Sequence, residues 1–214
     1  MKYTEPQLPQ SALLTIDTQC DFVLPGAPAR IPGSIDIIPH MKSLLTAYRQ
    51  HGLPIIHIVR LYMPDGSNAD LCRREIIESG LRFIVPNTPG AELVADLKPN
   101  PDVKLDADLL LKGSIQVWGE KEFVIYKPSW GAFYGTPLDR RLRNLGVDTL
   151  VVCGCNFPNC PRATIYEASE RDYKIVLVED AVSGIYEKAK EELRAIGIRT
   201  WSTDTVLDKL GTER

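Results

Sequence analysis

At 214 residues, with 44% hydrophobic and 25% charged side chains, the chain is long enough to bury one substantial core, and its composition excludes disordered and collagen-like classes. Its 25 basic and 28 acidic residues leave a net charge of −3 with no long run of one sign, so nucleic acid is not an expected partner. No apolar run approaches membrane-spanning length, Met1 to Gln10 is polar, and the five cysteines are an odd set without an export signal; neither membrane attachment nor a disulfide framework is expected, and a reducing, cytoplasmic setting is.

In chain order, the first strand candidate is Ala12 to Ile16, followed at once by Asp17-Thr-Gln-Cys-Asp-Phe22. An amphipathic stretch from Pro39 to Gln50 reads as a helix, with proline in the first turn where amides lack intrahelical acceptors. A second strand spans Ile55 to Val59. From 62 to 120 the chain is punctuated by Pro64-Asp-Gly66, Pro86-Asn87, Pro89-Gly90 and Pro99-Asn-Pro101, which predicts an irregular, lid-like segment with short helical pieces. Further strands are predicted at Phe123 to Tyr126, Leu150 to Cys153 and Ile175 to Val178, with a weaker one at Ile198 to Trp201. Helical stretches at Pro137 to Leu145, Pro161 to Arg171 and Tyr186 to Ala195 alternate with them. Alternation of apolar strands and amphipathic helices predicts a single α/β domain over residues 1–214, a doubly wound, mostly parallel sheet with helices on both faces. In such a sheet ligands bind beyond the carboxyl ends of the strands, and the 62–120 segment would wall that edge.

Three polar residues fall at or just past predicted strand ends. Asp17 follows the first strand, Lys127 follows Phe123 to Tyr126, and Cys160 lies in the Gly154-Cys-Asn-Phe-Pro-Asn-Cys160-Pro loop. An acid, a base and a thiol at one sheet edge suffice for nucleophilic acyl transfer. A place near a helix N-terminus, with an ammonium nearby, predicts a lowered pKa for Cys160, and the Asp17 carboxylate is the candidate proton acceptor. Taken singly, each has a plainer reading: a turn cap, a solvated lysine, a small buried thiol. Phe22, Trp130, Phe133 and Phe157 are candidates for an apolar substrate pocket. His57, inside the second strand, reads as a satisfied core histidine. The Cys153-x-Cys155-x4-Cys160 series lacks the paired CxxC spacing of zinc sites and has no histidine nearby, and no glycine fingerprint for a nucleotide occurs, so neither metal nor cofactor is expected.

These segments resemble the isochorismatase-like cysteine hydrolases, the superfamily of nicotinamidases and N-carbamoylsarcosine amidases. The resemblance rests on Asp17, Gln19, Asp21 and Phe22; on Lys127, Trp130, Gly131, Ala132 and Phe133; on Cys160, Thr164, Glu167 and Ala168; and on Val178-Glu-Asp-Ala-Val182. It implies a six-stranded sheet, a catalytic triad of Asp17, Lys127 and Cys160, and a substrate contact at Gln19. It further implies a cis peptide between Cys155 and Asn156, an oxyanion hole from the amides of Asn156 and Cys160, and association into homo-oligomers. The implied reaction is hydrolysis of a small amide, ureide or cyclic amide through a thioester, with water as second substrate. Alternatives are a vinyl-ether hydrolase of the isochorismatase type, whose members commonly lack the cysteine, or a binding protein that keeps the fold without catalysis. Phe157, Pro158 and Pro161 depart from the family pattern, and His40, His51 and His57 do not form the Asp-x-His arrangement of metal-bearing nicotinamidases.

Overall fold

The computed structural model describes residues 2–212. Seven strands form one sheet: β1 Ser11–Ile16, β2 Ile55–Val59, β3 Gln116–Gly119, β4 Glu122–Tyr126, β5 Thr149–Gly154, β6 Lys174–Val182 and β7 Arg199–Trp201. Eight α-helices accompany them: α1 Cys20–Val23, α2 Ile38–Gln50, α3 Leu71–Glu78, α4 Ala107–Leu111, α5 Leu138–Asn144, α6 Cys160–Ser169, α7 Glu187–Ala195 and α8 Thr203–Thr212. The sheet order is β3-β4-β2-β1-β5-β6-β7. From β1 the chain runs outward one way through β2 to β4, then returns to β5 on the other side of β1 and continues to β7. The reversal leaves a switch point between the carboxyl ends of β1 and β5, the place where open α/β sheets accept ligands.

Every residue of β1, β2, β4 and β5 is buried, as a parallel sheet covered on both faces requires. Alternate side chains feed two cores. Ala12, Leu14 and Ile16 pack with Leu138, Leu142, Ile165, Ala168 and Leu193 of α5, α6 and α7. Leu13 on the opposite face packs with Met41, Leu44, Leu45 and Tyr48 of α2 and with Val206 and Leu210 of α8.

The doubly wound, mostly parallel architecture agrees with the sequence reading, but the sheet has seven strands where six were expected. The extra strand, β3, pairs antiparallel with β4 through the turn at Glu120-Lys121. It is a short, partly exposed edge strand, so it lacks the apolar run that marks the buried ones. The 62–120 stretch holds the short helices α3 and α4 and the strand β3. Helix α8 is likewise additional, opened by Ser202, whose hydroxyl accepts the amide of Thr205. Among the described residues no helix is long and apolar enough to cross a membrane.

In the middle of β2, an interior strand, His57 is fully buried and satisfied. Its Nδ1 lies 2.7 Å from Thr15 Oγ1 and its Nε2 2.9 Å from Glu122 Oε1. Burial lowers the His57 pKa, so the ring is neutral, with Nε2–H donating to Glu122 and Nδ1 accepting from Thr15. Burial pulls the Glu122 carboxyl upward, yet the bonds from Arg49 Nε (3.0 Å) and Nη2 (2.7 Å), with that from His57, outweigh it and hold Glu122 down at about 2. This carboxylate ties α2 to β2 and β4. Glu122→Gln is expected to destabilise the fold by about 3 kcal/mol at neutral pH, because it leaves a partly buried guanidinium without its counter-ion. The folded-state value lies below the ordinary 4.5, so the contribution is fully present above pH 4.5 and is lost as pH falls through about 2. Urea unfolding midpoints of the two proteins should converge across that window.

Candidate active site

Asp17 is the first residue past β1, Lys127 the first past β4, and Cys160 the first residue of α6, reached by the loop that leaves β5. The parallel sheet delivers all three to the switch-point edge. Lys127 Nζ lies 3.0 Å from Asp17 Oδ2 and 3.2 Å from Cys160 Sγ, and also donates to the Ser129 carbonyl at 3.2 Å. Lys127 and Asp17 are buried, whereas Cys160 is half-buried at the floor of a narrow cleft of about 40 Å³. The left-handed backbone of Asp17 (φ 53°) turns the chain sharply out of β1, a conformation aspartate tolerates better than most residues.

Burial disfavours the Lys127 ammonium, but the Asp17 carboxylate and Cys160 outweigh it, so its pKa is raised and the cation persists. The lowered pKa expected for Cys160 is not found. Burial first, and the Asp17 charge second, push the thiol up to about 12, against a smaller downward pull from Lys127. A carboxylate next to a thiol in a partly dry cleft makes a second negative charge costly. These shifts favour the ammonium form of Lys127 and the thiol form of Cys160.

Neighbouring segments are fastened by fitted contacts. A Cβ on Gly154 would lie 2.2 Å from the Ile16 carbonyl oxygen, so only glycine lets β5 approach β1 at the switch point. The Cys155–Asn156 peptide bond is cis. Phe157 N donates to Ser183 O at 2.7 Å and Ser183 N to Gly154 O at 3.1 Å, clipping the loop to the end of β6. Among the described residues, the amides of Asn156 and Cys160 have no acceptor within the protein. The loop after Lys127 is held by α6: Ala132 N donates to Thr164 Oγ1 (3.1 Å) and Phe133 N to Glu167 Oε2 (2.9 Å). The Glu167 carboxylate occupies the space that a Cβ on Gly131 would need. Asp21 fills the corresponding space at Gly90 and accepts the amide of Ile84 at 2.6 Å.

Of the residues expected to touch substrate, Phe22 and Trp130 line the cleft. Gln19, Phe133 and Phe157 do not. The Gln19 amide is consumed by the backbone, accepting from Arg60 N (2.9 Å) and donating to the carbonyls of Arg60 (2.8 Å) and Ala91 (2.7 Å). Phe133 packs in the core beside Tyr173, and Phe157 beside Tyr186. Both rings lie where apolar surface is removed from water, behind the site instead of in it. Cys153 and Cys155 donate to the carbonyls of Leu14 and Asp17 and pack in the core facing α2, and Cys155 also lines the cleft beside Cys160. Among the described residues no group of three or more His, Cys, Asp or Glu side chains is placed to hold a metal ion.

The cleft also includes Arg60, Tyr62, Asp70 and Arg73, none of which was singled out from sequence. Arg60 directly follows an apolar strand, as Asp17 and Lys127 do, so the same positional signal could have found it.

A doubly wound sheet with an acid, a lysine and a thiol gathered in one cleft at its switch point has the layout of an α/β enzyme. A model of the isochorismatase domain matches residues 11–204, and the chain belongs to that family. A probable inactive nicotinamidase of Arabidopsis thaliana is 30% identical over 196 residues, covering 89% of this chain and 91% of that protein. A maleamate amidohydrolase of Pseudomonas putida is 26% identical over 172 residues, covering 80% of this chain and 71% of that protein. Among solved structures, an isochorismatase family protein of Desulfovibrio vulgaris superposes with a TM-score of 0.78 at 37% identity, covering 94% of this chain and 98% of that one.

The charge arrangement has an experimental signature. Alkylation of Cys160 by iodoacetamide, followed by peptide mass spectrometry, is expected to accelerate with pH well past the range of an ordinary thiol. Lys127→Met should slow it near pH 8, and Asp17→Asn should speed it, by about tenfold per unit of thiol pKa displaced. A slower reaction in Asp17→Asn would contradict the carboxylate's place beside the thiol.

Proposed function

We propose that this protein is a cysteine hydrolase that cleaves the carbon–nitrogen bond of a small amide, ureide or cyclic amide through a thioester on Cys160. The coarse activity, hydrolysis of carbon–nitrogen bonds, is that of the amidohydrolases to which the chain is related. The finer reading is supported by one observation above the others: Lys127 Nζ bridges Asp17 and Cys160 at 3.0 and 3.2 Å inside a narrow cleft.

Attack begins with the thiol. Cys160 Sγ bonds to the substrate carbonyl carbon as its proton passes to Asp17, and the carbonyl π pair moves onto oxygen. Before transfer the negative charge sits on Asp17; afterwards Asp17 is neutral and the charge has passed through sulfur to the oxyanion. Lys127 remains a cation throughout, and the internal proton transfer conserves the net charge of the site, moving one negative charge from Asp17 to the substrate oxygen. The unsatisfied amides of Asn156 and Cys160 are the donors for that oxygen, each contributing about 3 to 4 kcal/mol to the transition state. Collapse of the tetrahedral species re-forms the carbonyl and breaks the C–N bond, and Asp17 returns its proton to the departing nitrogen. Water then attacks the thioester as Asp17 takes its proton, and the C–S bond breaks as Asp17 returns that proton to sulfur, releasing a carboxylic acid and restoring the thiol.

The narrow cleft suits a flat carboxamide end flanked by Phe22 and Trp130, with residues of the 62–120 segment forming one wall as a lid would. Five free cysteines fit a reducing, cytoplasmic setting. The whole of residues 1–214 acts as one catalytic domain in this reading, and the family resemblance extends to homo-oligomers.

Cys160→Ala is expected to abolish turnover in a screen of amides and ureides read by ammonia or amine release, with the fold intact. Cys153→Ala and Cys155→Ala should retain the chemistry. Substantial turnover in Cys160→Ala would overturn the covalent mechanism. Asp17→Asn should slow acylation by about 10² to 10⁴, the range for loss of a general base. Activity is expected to survive exhaustive chelation; loss with EDTA restored by a divalent ion would show that a metal takes part.

A further inference from the structure

Arg60 is an unusual side chain to find in this cleft. It is 2% exposed, and its one carboxylate partner, Asp70, stands at the long end of ion-pair distance. Nη1 donates to the Leu61 carbonyl (3.1 Å) and the Tyr126 hydroxyl (2.7 Å), and Nη2 to the Asn68 carbonyl (2.6 Å); these are neutral acceptors. The nearest anion is Asp70 Oδ2, 3.5 Å from Nη2, which already accepts the Tyr62 hydroxyl at 2.8 Å. Arg60 Nε is buried with no partner. The guanidinium is held in place by the faces of Tyr62 and Tyr126, 4.4 and 5.5 Å from its central carbon. A buried cation with an unused donor costs several kcal/mol unless an anion completes it.

The surroundings have the same bias. The cleft contains three cations, Arg60, Arg73 and Lys127, against two carboxylates, Asp17 and Asp70. Lys127 is taken up by Asp17 and Cys160, which leaves Arg60 and the exposed Arg73 of α3 with a single carboxylate, Asp70, that is shared with the Tyr62 hydroxyl. Beyond the narrow cleft lies a wider hollow of about 240 Å³ that shares Phe22, Ile31, Arg73, Asn156 and Asn159 with it and adds Phe83 and Arg30. Apolar walls and arginines thus continue outward from the thiol.

We propose that Arg60, assisted by Arg73, binds a carboxylate of the substrate, so that the compounds hydrolysed are anionic amides whose body is compact and apolar. This rests on the reading of Cys160 as the nucleophile. In that arrangement Arg60 Nε donates to one carboxylate oxygen, Arg73 approaches from the rim, and the carboxamide end is directed into the narrow cleft. The fixed guanidinium selects by charge as well as by shape, since a neutral amide would leave Nε unpaired in a dry site.

The test uses iodoacetate and iodoacetamide, reagents of similar size that differ in charge, on the full chain, with alkylation read at Cys160 by peptide mapping. Each rate is divided by that of the same reagent with a neutral model thiol at the same pH. The normalised iodoacetate to iodoacetamide ratio is expected to exceed one by about tenfold at low salt, the scale of one charge-assisted hydrogen bond, and to fall as salt rises. Arg60→Gln and Arg73→Gln should each lower the ratio. Arg73 is exposed on α3, so its variant tests the proposal even if Arg60→Gln fails to fold. A ratio near one would overturn the anionic class while leaving Cys160 as nucleophile, since iodoacetamide would still label it. A high ratio unchanged in both variants would overturn the assignment to these arginines. Failure of both reagents to label Cys160 would instead remove the nucleophile reading on which the inference stands.

Discussion

A buried ammonium placed between a carboxylate and a thiol is the constraint on which the rest of this structure depends. Burial disfavours the Lys127 ammonium, and the Asp17 carboxylate 3.0 Å away, with Cys160 at 3.2 Å, outweighs that cost. These separations hold the three groups together. Three different segments supply them, so the fold must fix three strand ends and one helix start against each other.

It does so by close fits at small residues and by carboxylates turned inward to hold backbone. Gly154 lets β5 lie against β1, Glu167 grips the chain after Lys127 across Gly131, and Asp21 grips the 84–90 region across Gly90. Gln19 joins β1's outgoing chain to Arg60 and Ala91. Residues that look chemical in a motif thus include several whose work is to hold the loops that carry the chemistry. The Arg49, Glu122 and His57 cluster anchors β2 and β4, whose far ends present Arg60 and Lys127.

Much of this was legible in the sequence because buried parallel strands have a strong signature. Ile55 to Val59 was read with its observed bounds, and the polar residues directly after such runs marked the sheet edge. Edge strand β3 was not legible, since Gln116–Gly119 is short and half-exposed and owes its place to pairing with β4. Phe133 and Phe157 were misplaced because an aromatic beside a motif carries no label saying whether it faces the cleft or the core. The Cys160 pKa was misjudged for a similar reason. Helix position is visible in sequence, but the burial of the thiol and the nearness of Asp17 depend on tertiary packing. Arg60 was overlooked, although its position after β2 obeyed the rule already applied to Asp17 and Lys127.

Burial and the nearby Asp17 push the Cys160 thiol up to about 12, and in the proposed reaction Asp17 is the base that takes its proton when substrate arrives. The most direct measurement is the ultraviolet absorbance of thiolate in the native protein, taken as the difference between wild type and Cys160→Ser across the pH range in which both are folded. No difference signal is expected at neutral pH, with thiolate emerging only on approach to about 12. A full thiolate signal from Cys160 at neutral pH would contradict the account.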